Sequence, residues 1–416
     1  MSARWSRREW LQVVPFTLLP WTMQAAEQTT RRPLRVAAIN SVFYFRSHAY
    51  HILGRLVHGY DWQGVHHQPA VQVVRMYNDQ AHPSRLAEEF CRRHQIALCP
   101  TAEETLGGAR LDVDAVALII EHGNYPLTPR KQVMYPRYEY FARIVDIFRQ
   151  AGRSVPVFVD KHLSYDHRQA AQMMQWADEL QIPLMAGSSL PVTWRIPELE
   201  VPRETRWQEG VVTFGYDRGV SEVYLIHALE ALQCFLERRR GGETGIAAVQ
   251  WLEGDAVWRA GDAGEFSWDL VEAALARAPS ENVGPLRENV RQPQAILVRY
   301  RDGTRGCVLN LIEQTSDFCF AGSVIGRRQP LSTCLFLPSP PGAKFFDPLT
   351  WHIERFFETR QPPYPAQRTW LTSTVLDLAL QSAEQGSQPV TAAALDIRYQ
   401  PPADSGFARG SWIRQR

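Results

Sequence analysis

The chain is short of several things that would point elsewhere. It lacks a charge imbalance: 45 Lys and Arg against 44 Asp and Glu leave a net charge of +1 over 416 residues. That balance gives no electrostatic reason for nucleic acid or an anionic membrane surface as partner. Its six cysteines, at 91, 99, 234, 307, 319 and 334, contain no C-x-x-C spacing, which excludes a zinc framework and a small disulfide scaffold. No internal repeat or low-complexity tract is present. No apolar run reaches the ~20 residues needed to span a bilayer.

What remains is ordinary for a globular protein, with 45% hydrophobic and 21% charged residues. The length favours two domains. At the amino end Ser6-Arg7-Arg8-Glu9-Trp10-Leu11 resembles the twin-arginine export motif, and a modest apolar run from Val13 to Met23 leads to Ala25-Ala26. Export to the periplasm or outside the cell is the expectation, with no membrane attachment after signal cleavage; without export the chain would be cytoplasmic. Residues 1–33 then form a signal and linker.

From Leu34 strand and helix patterns alternate. Strands are expected at Leu34–Asn40, Val71–Tyr77, Ile96–Cys99, Val113–Ile120, Val155–Val159 and Pro183–Gly187. Amphipathic helices follow at 83–94, 138–151 and 167–180. This rhythm predicts an α/β domain over 34–195, a Rossmann-like doubly wound parallel sheet. Beyond about 200 a long helix, Glu222 to Arg238, precedes strand-like runs at 245–252, 295–301, 305–314 and 331–337. Two closing helices complete an α+β domain over 196–395 with a mainly antiparallel open sheet, and 396–416 is a tail.

A second absence is more telling. The turn after the first strand occupies the place of a dinucleotide-binding G-x-G-x-x-G, yet the three glycine positions are Asn40, Val42 and Phe45. A β-branched and an aromatic side chain should obstruct backbone approach to a pyrophosphate.

The order of elements, together with Asp112-Val113-Asp114-Ala115-Val116, Asp160-Lys161-His162-Leu163 and Tyr224-Leu225-Ile226-His227-Ala228-Leu229-Glu230, resembles the glucose-fructose oxidoreductase / inositol dehydrogenase / MocA family over roughly 34 to 390. The resemblance implies bound NAD or NADP, a small-molecule sugar or cyclitol substrate, and a homo-oligomer joined through the second sheet. It places Lys161 and His227 as catalytic residues, with His162 beside them. Lys161 would favour ionisation of a substrate hydroxyl while His227 takes its proton. Cofactor contacts are expected from Asn40, Ser41, Arg46, Ser47, Asp79, Glu121 and His122. Substrate contacts are expected from Trp194, Arg195 and Glu222. The acid that the family carries four residues before the helix histidine falls at Val223.

Two other readings stay open from the residues alone. Glu121, His122, His162 and His227 are a ligand set suited to a divalent metal, which would serve a sugar-modifying lyase, isomerase or hydrolase. A non-catalytic carbohydrate-binding protein is the other, since a fold outlives its chemistry.

Overall fold

The computed structural model describes residues 32–216, 222–339 and 342–413. The twin-arginine-like segment and its cleavage region lie outside these residues.

The first layer is a six-stranded sheet built from β1 (Leu34–Asn40), β4 (Val71–Asn78), β5 (Ala97–Leu98), β6 (Ala115–Ile119), β7 (Val157–Asp160) and β8 (Leu184–Gly187). Its order is β5-β4-β1-β6-β7-β8, and every neighbouring pair is parallel. Chain order therefore reverses between β1 and β6, which opens a crevice at the carboxyl ends of those strands. Helices α1 (His48–His58), α2 (Leu86–His94), α3 (Ala102–Leu106), α4 (Arg137–Ala151) and α5 (His167–Glu179) provide the crossovers. A small hairpin, β2 (Tyr60–Trp62) and β3 (Val65–His67), follows α1. Because both faces are covered, strands such as Ala115–Ile119 are apolar throughout and fully buried.

The second sheet has seven strands in the order β11-β12-β13-β10-β14-β15-β9. They are β9 (Trp194–Ile196), β10 (Trp207–Phe214), β11 (Ile246–Glu253), β12 (Gln294–Tyr300), β13 (Arg305–Asn310), β14 (Phe318–Val324) and β15 (Leu331–Phe336). Only the β10–β13 pair is parallel. One face packs on α6 (Glu222–Leu236) and α11 (Gln367–Glu384), in a core that includes Phe235, Phe320, Trp251 and Leu376. The other face is covered by α7 (Asp255–Asp262) and α8 (Trp268–Leu275), with short α9 (Leu286–Asn289) beyond. Strands β10 and β14 and these covering helices are additions to the sequence reading. The sheet is open at its edges but not on its faces.

The expected boundary at 195/196 falls inside β9. The carboxyl-terminal elements also return to the first sheet: α10 (Phe346–Thr359) packs on α1, and α11 packs on α5. From Pro33 onward the described residues accordingly form one compact unit.

Candidate functional site

Glu121 and His122 follow the last residues of β6, and Lys161 and His162 follow β7. The parallel register between these neighbouring strands brings the two dipeptides side by side. Glu121 is buried and accepts from Lys161 Nζ at 2.7 Å and from Arg137 Nη2 at 2.5 Å. Burial pushes its carboxyl upward, but Lys161 and Arg137 outweigh that and hold it well below the usual range. Lys161 Nζ also donates to the Val223 carbonyl at 3.1 Å. A buried ammonium is thus fixed by one carboxylate and one backbone dipole, the condition under which such a charge is tolerated.

A cavity of about 950 Å³ lies over these groups, between the two sheets. Arg46, His48, Glu121, His122, Asp160, Lys161 and His227 bring polar groups to its wall, and Tyr135, Phe318 and Phe346 contribute rings. His48 Nδ1 pairs with Asp160 Oδ2 at 2.6 Å. Three of the lining residues, Arg46, His122 and Lys161, hold left-handed backbone at φ of 72°, 71° and 64°. Non-glycine residues pay strain there, and such strain collects at functional sites. Burial and the facing His48 lower His122 to about 4, so its ring is neutral.

His227 projects from α6 into the same cavity. Burial, and then Lys161, lower it from its ordinary value. A neutral imidazole beside a fixed ammonium can take a proton from a hydroxyl placed between them.

The structure gathers only part of the expected set. Lys161, His227, Glu121, His122 and Arg46 line the cavity. His162 does not: it is buried, and its Nε2 meets Arg137 Nη1 at 3.3 Å. Burial and the Arg137 guanidinium press it well below its usual range, so it supports Arg137 rather than reaching a ligand. Glu222 is buried, accepts from the Val133 N–H at 2.9 Å, and is pushed up by burial to about 7. It stands behind the wall.

Trp194 and Arg195 are also corrected. The Arg195 guanidinium is buried between the Phe235 and Phe407 rings, 4.3 and 4.4 Å from their centroids, and donates to the Leu199 carbonyl. Trp194 is buried edge-on to Trp412. Both are packing residues of the second sheet. The four-ligand metal arrangement is likewise not assembled, because two cations already occupy the Glu121 carboxylate and His162 faces Arg137. Among the described residues the His/Asp/Glu group with ligand spacing is Asp166, His167 and Asp377, and Arg130 and Arg168 neutralise it.

The turn after β1 is built differently. Val42 and Phe43 are buried, and Phe43 packs on Phe90 and Tyr50, with centroids at 5.0 and 6.0 Å. Ser47 is the α1 cap, its Oγ accepting from the Tyr50 and Tyr44 N–H groups. Ser41 Oγ donates to the Glu121 carbonyl at 2.6 Å, and Asn40 Nδ2 donates to Asn78 Oδ1. Asp79, assigned to a ribose from sequence, accepts from the hydroxyls of Tyr140 at 2.5 Å, Tyr125 at 2.7 Å and Tyr77 at 3.4 Å. Its carboxylate is already satisfied.

Sequence reasoning assigns no role to His48 or Arg137, takes Trp194 and Arg195 from the stretch after β8 rather than Ser188, and leaves Glu230 unassigned. Ser188 and Glu230 support His227 from behind: His227 Nδ1 lies 2.8 Å from Ser188 Oγ, which donates to Glu230 Oε2. The available signal was Tyr224–Glu230 itself, where Glu230 sits one helical turn after the histidine.

No family model matches the sequence, and no curated protein matches it. Solved structures do match its fold. GenD2 from gentamicin A biosynthesis, in complex with NAD, aligns over 87% of this chain and 97% of its own with a TM-score of 0.54 and 14% identity. Myo-inositol dehydrogenase from Lactobacillus casei, in complex with NAD(H) and myo-inositol, aligns over 86% and 96% with a TM-score of 0.53 and 12% identity. A probable dehydrogenase from Thermotoga maritima aligns over 88% and 100% with a TM-score of 0.53 and 10% identity. The chain therefore has the two-part fold found in these proteins. The resemblance to the glucose-fructose oxidoreductase / inositol dehydrogenase / MocA family is met at the level of architecture.

Proposed function

We propose that this chain is an NAD(P)-dependent oxidoreductase acting on a hydroxyl of a sugar or cyclitol. The observation that carries this is the convergence of Lys161, held by Glu121, with a neutral His227 in one cavity at the carboxyl ends of a parallel sheet. Nucleotide when bound would accept the hydride.

The strand ends fit its nicotinamide half. Asp160 Oδ1 and His122 Nε2, on cavity-lining residues at the ends of β7 and β6, are buried with no hydrogen-bond partner among the described residues. A carboxamide offers both donors and an acceptor to such atoms. For the diphosphate, Arg46 and the amino end of α1 supply the positive potential that the missing glycines would have given through backbone approach. Asp79 is not available to a ribose.

The chain's own part is then clear. Lys161 orients the substrate hydroxyl by hydrogen bond and favours its anionic form, and Glu121 with the Val223 carbonyl prevents the ammonium from swinging away. His227 takes the hydroxyl proton through its free ring nitrogen. Tyr135, Phe318 and Phe346 exclude water and offer apolar faces to a sugar ring.

Export is part of the same reading, supported by the Ser6–Leu11 motif. The twin-arginine route carries folded proteins, which suits one that acquires a cofactor in the cytoplasm. Any homo-oligomer would use a surface other than the outer face of the second sheet, because α7 and α8 cover it. Oxidation of a panel of aldoses and cyclitols, followed as the reduced nucleotide formed by hydride transfer, tests the proposal. Turnover that disappears in Lys161→Ala and His227→Ala supports it; turnover that survives in both removes it.

A further inference from the structure

The residue four before His227, one helical turn earlier, is Val223, which has no acceptor in its side chain and whose carbonyl is taken by Lys161. Support comes instead from the next sheet end and the next helical turn. Ser188 follows β8 and is buried, and unlike its neighbour Ser189 it does not line the cavity. Its N–H donates to Glu230 Oε1 at 2.9 Å, and its hydroxyl donates to Glu230 Oε2. Both carboxylate oxygens are therefore acceptors, and the single Ser188 hydroxyl proton is committed to one of them. The hydroxyl oxygen, 2.8 Å from His227 Nδ1, can then only accept.

We propose that Ser188 and Glu230 form a positioning relay that fixes His227 as its Nδ1–H tautomer, leaving the Nε2 lone pair toward the cavity as the base. The chain makes room for this relay at one defined point. Gly187 has φ of +130°, and a Cβ there would lie 2.9 Å from both Glu230 Oε1 and the Tyr364 hydroxyl. A side chain at 187 would thus displace the carboxylate. Glu230 Oε2 also lies 3.6 Å from His227 Nδ1, close enough to steady the imidazolium once Nε2 has taken a proton. The proton moves from substrate oxygen to Nε2, and Nδ1–H stays on its ring throughout. Ser188 and Glu230 are positioning residues, since neither reaches the cavity.

The inference deepens the oxidoreductase reading and rests on it for its purpose, but its test needs no substrate. Full-length protein labelled with ¹⁵N-histidine is examined by long-range ¹H–¹⁵N correlation, with His227→Gln identifying the His227 signals among the 12 histidines. Wild type should show one tautomer, Nδ1–H. Ser188→Ala should lose that preference and give averaged signals, and Ser188→Thr should restore it. In Glu230→Gln the His227 titration midpoint should fall. Lys161, His48 and His162 also act on the ring through their charge and remain in every variant, so the shift isolates the carboxylate. An Nε2–H tautomer in wild type overturns the relay without any variant having to fold, and so does a Ser188→Ala spectrum identical to wild type. A confirmed tautomer with no nucleotide-dependent turnover would leave the relay standing and sink the oxidoreductase reading instead.

Discussion

At the carboxyl ends of β6 and β7 the chain buries charge, whereas at the carboxyl end of β1 it buries hydrocarbon. On the first side Glu121, Lys161 and Arg137 form a compact ionic group under an open cavity, with two left-handed residues, His122 and Lys161, in its walls. On the second, Val42 and Phe43 fill the space under the turn, Ser47 closes the helix, and Tyr44 stacks on His82 with centroids at 4.8 Å. The same sheet positions both. The difference teaches that a doubly wound fold constrains where a ligand sits without requiring that each part of the crevice be preserved. One side buries charges that are tolerated only because Glu121, Lys161 and Arg137 are paired with one another. The other buries hydrocarbon and rings that stabilise the turn directly.

That contrast can be broken by substitution, beginning where the largest effect is expected. Lys161→Ala should lower hydroxyl oxidation by roughly 10²–10⁴-fold, the usual contribution of a proton-transfer or positioning group. It should also cost ~1–3 kcal/mol in urea unfolding, since Glu121 loses one of two buried partners. A loss of stability without loss of rate would make the ionic group structural, and the contrast would collapse. Phe43→Ala should do the reverse. Removal of a ring buried against Phe90 and Tyr50 should cost ~3–5 kcal/mol, while nucleotide binding should weaken little in the fraction that remains folded.

Acid sharpens the comparison next. His51, buried and facing Arg55, is lowered to about 3, and His122, buried and facing His48, to about 4. Their unfolded counterparts take protons from about pH 6.5 downward, so stability should fall as pH drops from 6.5 toward 4. Glu222 acts in the opposite sense. Burial raises its folded value to about 7, so its contribution is complete below the unfolded carboxyl value and is lost as pH rises toward and through 7. Equilibrium unfolding across pH should show both limbs, and Glu222→Gln should flatten the neutral one alone. The smallest effect belongs to Ser47→Ala, expected to cost ~1 kcal/mol as a lost helix cap. A larger loss of nucleotide affinity than of stability in that variant would return Ser47 to the cofactor.

Much of the first sheet was legible because its signals are local. Each buried strand is a short apolar run between polar ends, and each crossover helix has its own amphipathic period. Glu121-His122 and Asp160-Lys161-His162 were visible for the same reason: they terminate such runs. Strand β10 was harder to read, since Glu209 and Gly210 interrupt its pattern and the buried Glu209 is satisfied by Arg305 of β13 and the Ser267 N–H, both far along the chain. The fates of Arg195, His162 and Asp79 depend on partners far along the chain, namely Phe407, Arg137 and Tyr140. A polar residue at a strand end reads as a ligand contact until such a partner is known.

A nucleotide held between Arg46, after β1, and the charged ends of β6 and β7 is tested most directly on the protein as purified. Protein purified without added cofactor would be denatured and the released solution assayed for NAD and NADP, followed by titration of the emptied, refolded chain. The account predicts near-stoichiometric nucleotide, or saturable rebinding that is lost in Arg46→Ala. No released nucleotide and no binding at millimolar NAD or NADP would contradict it.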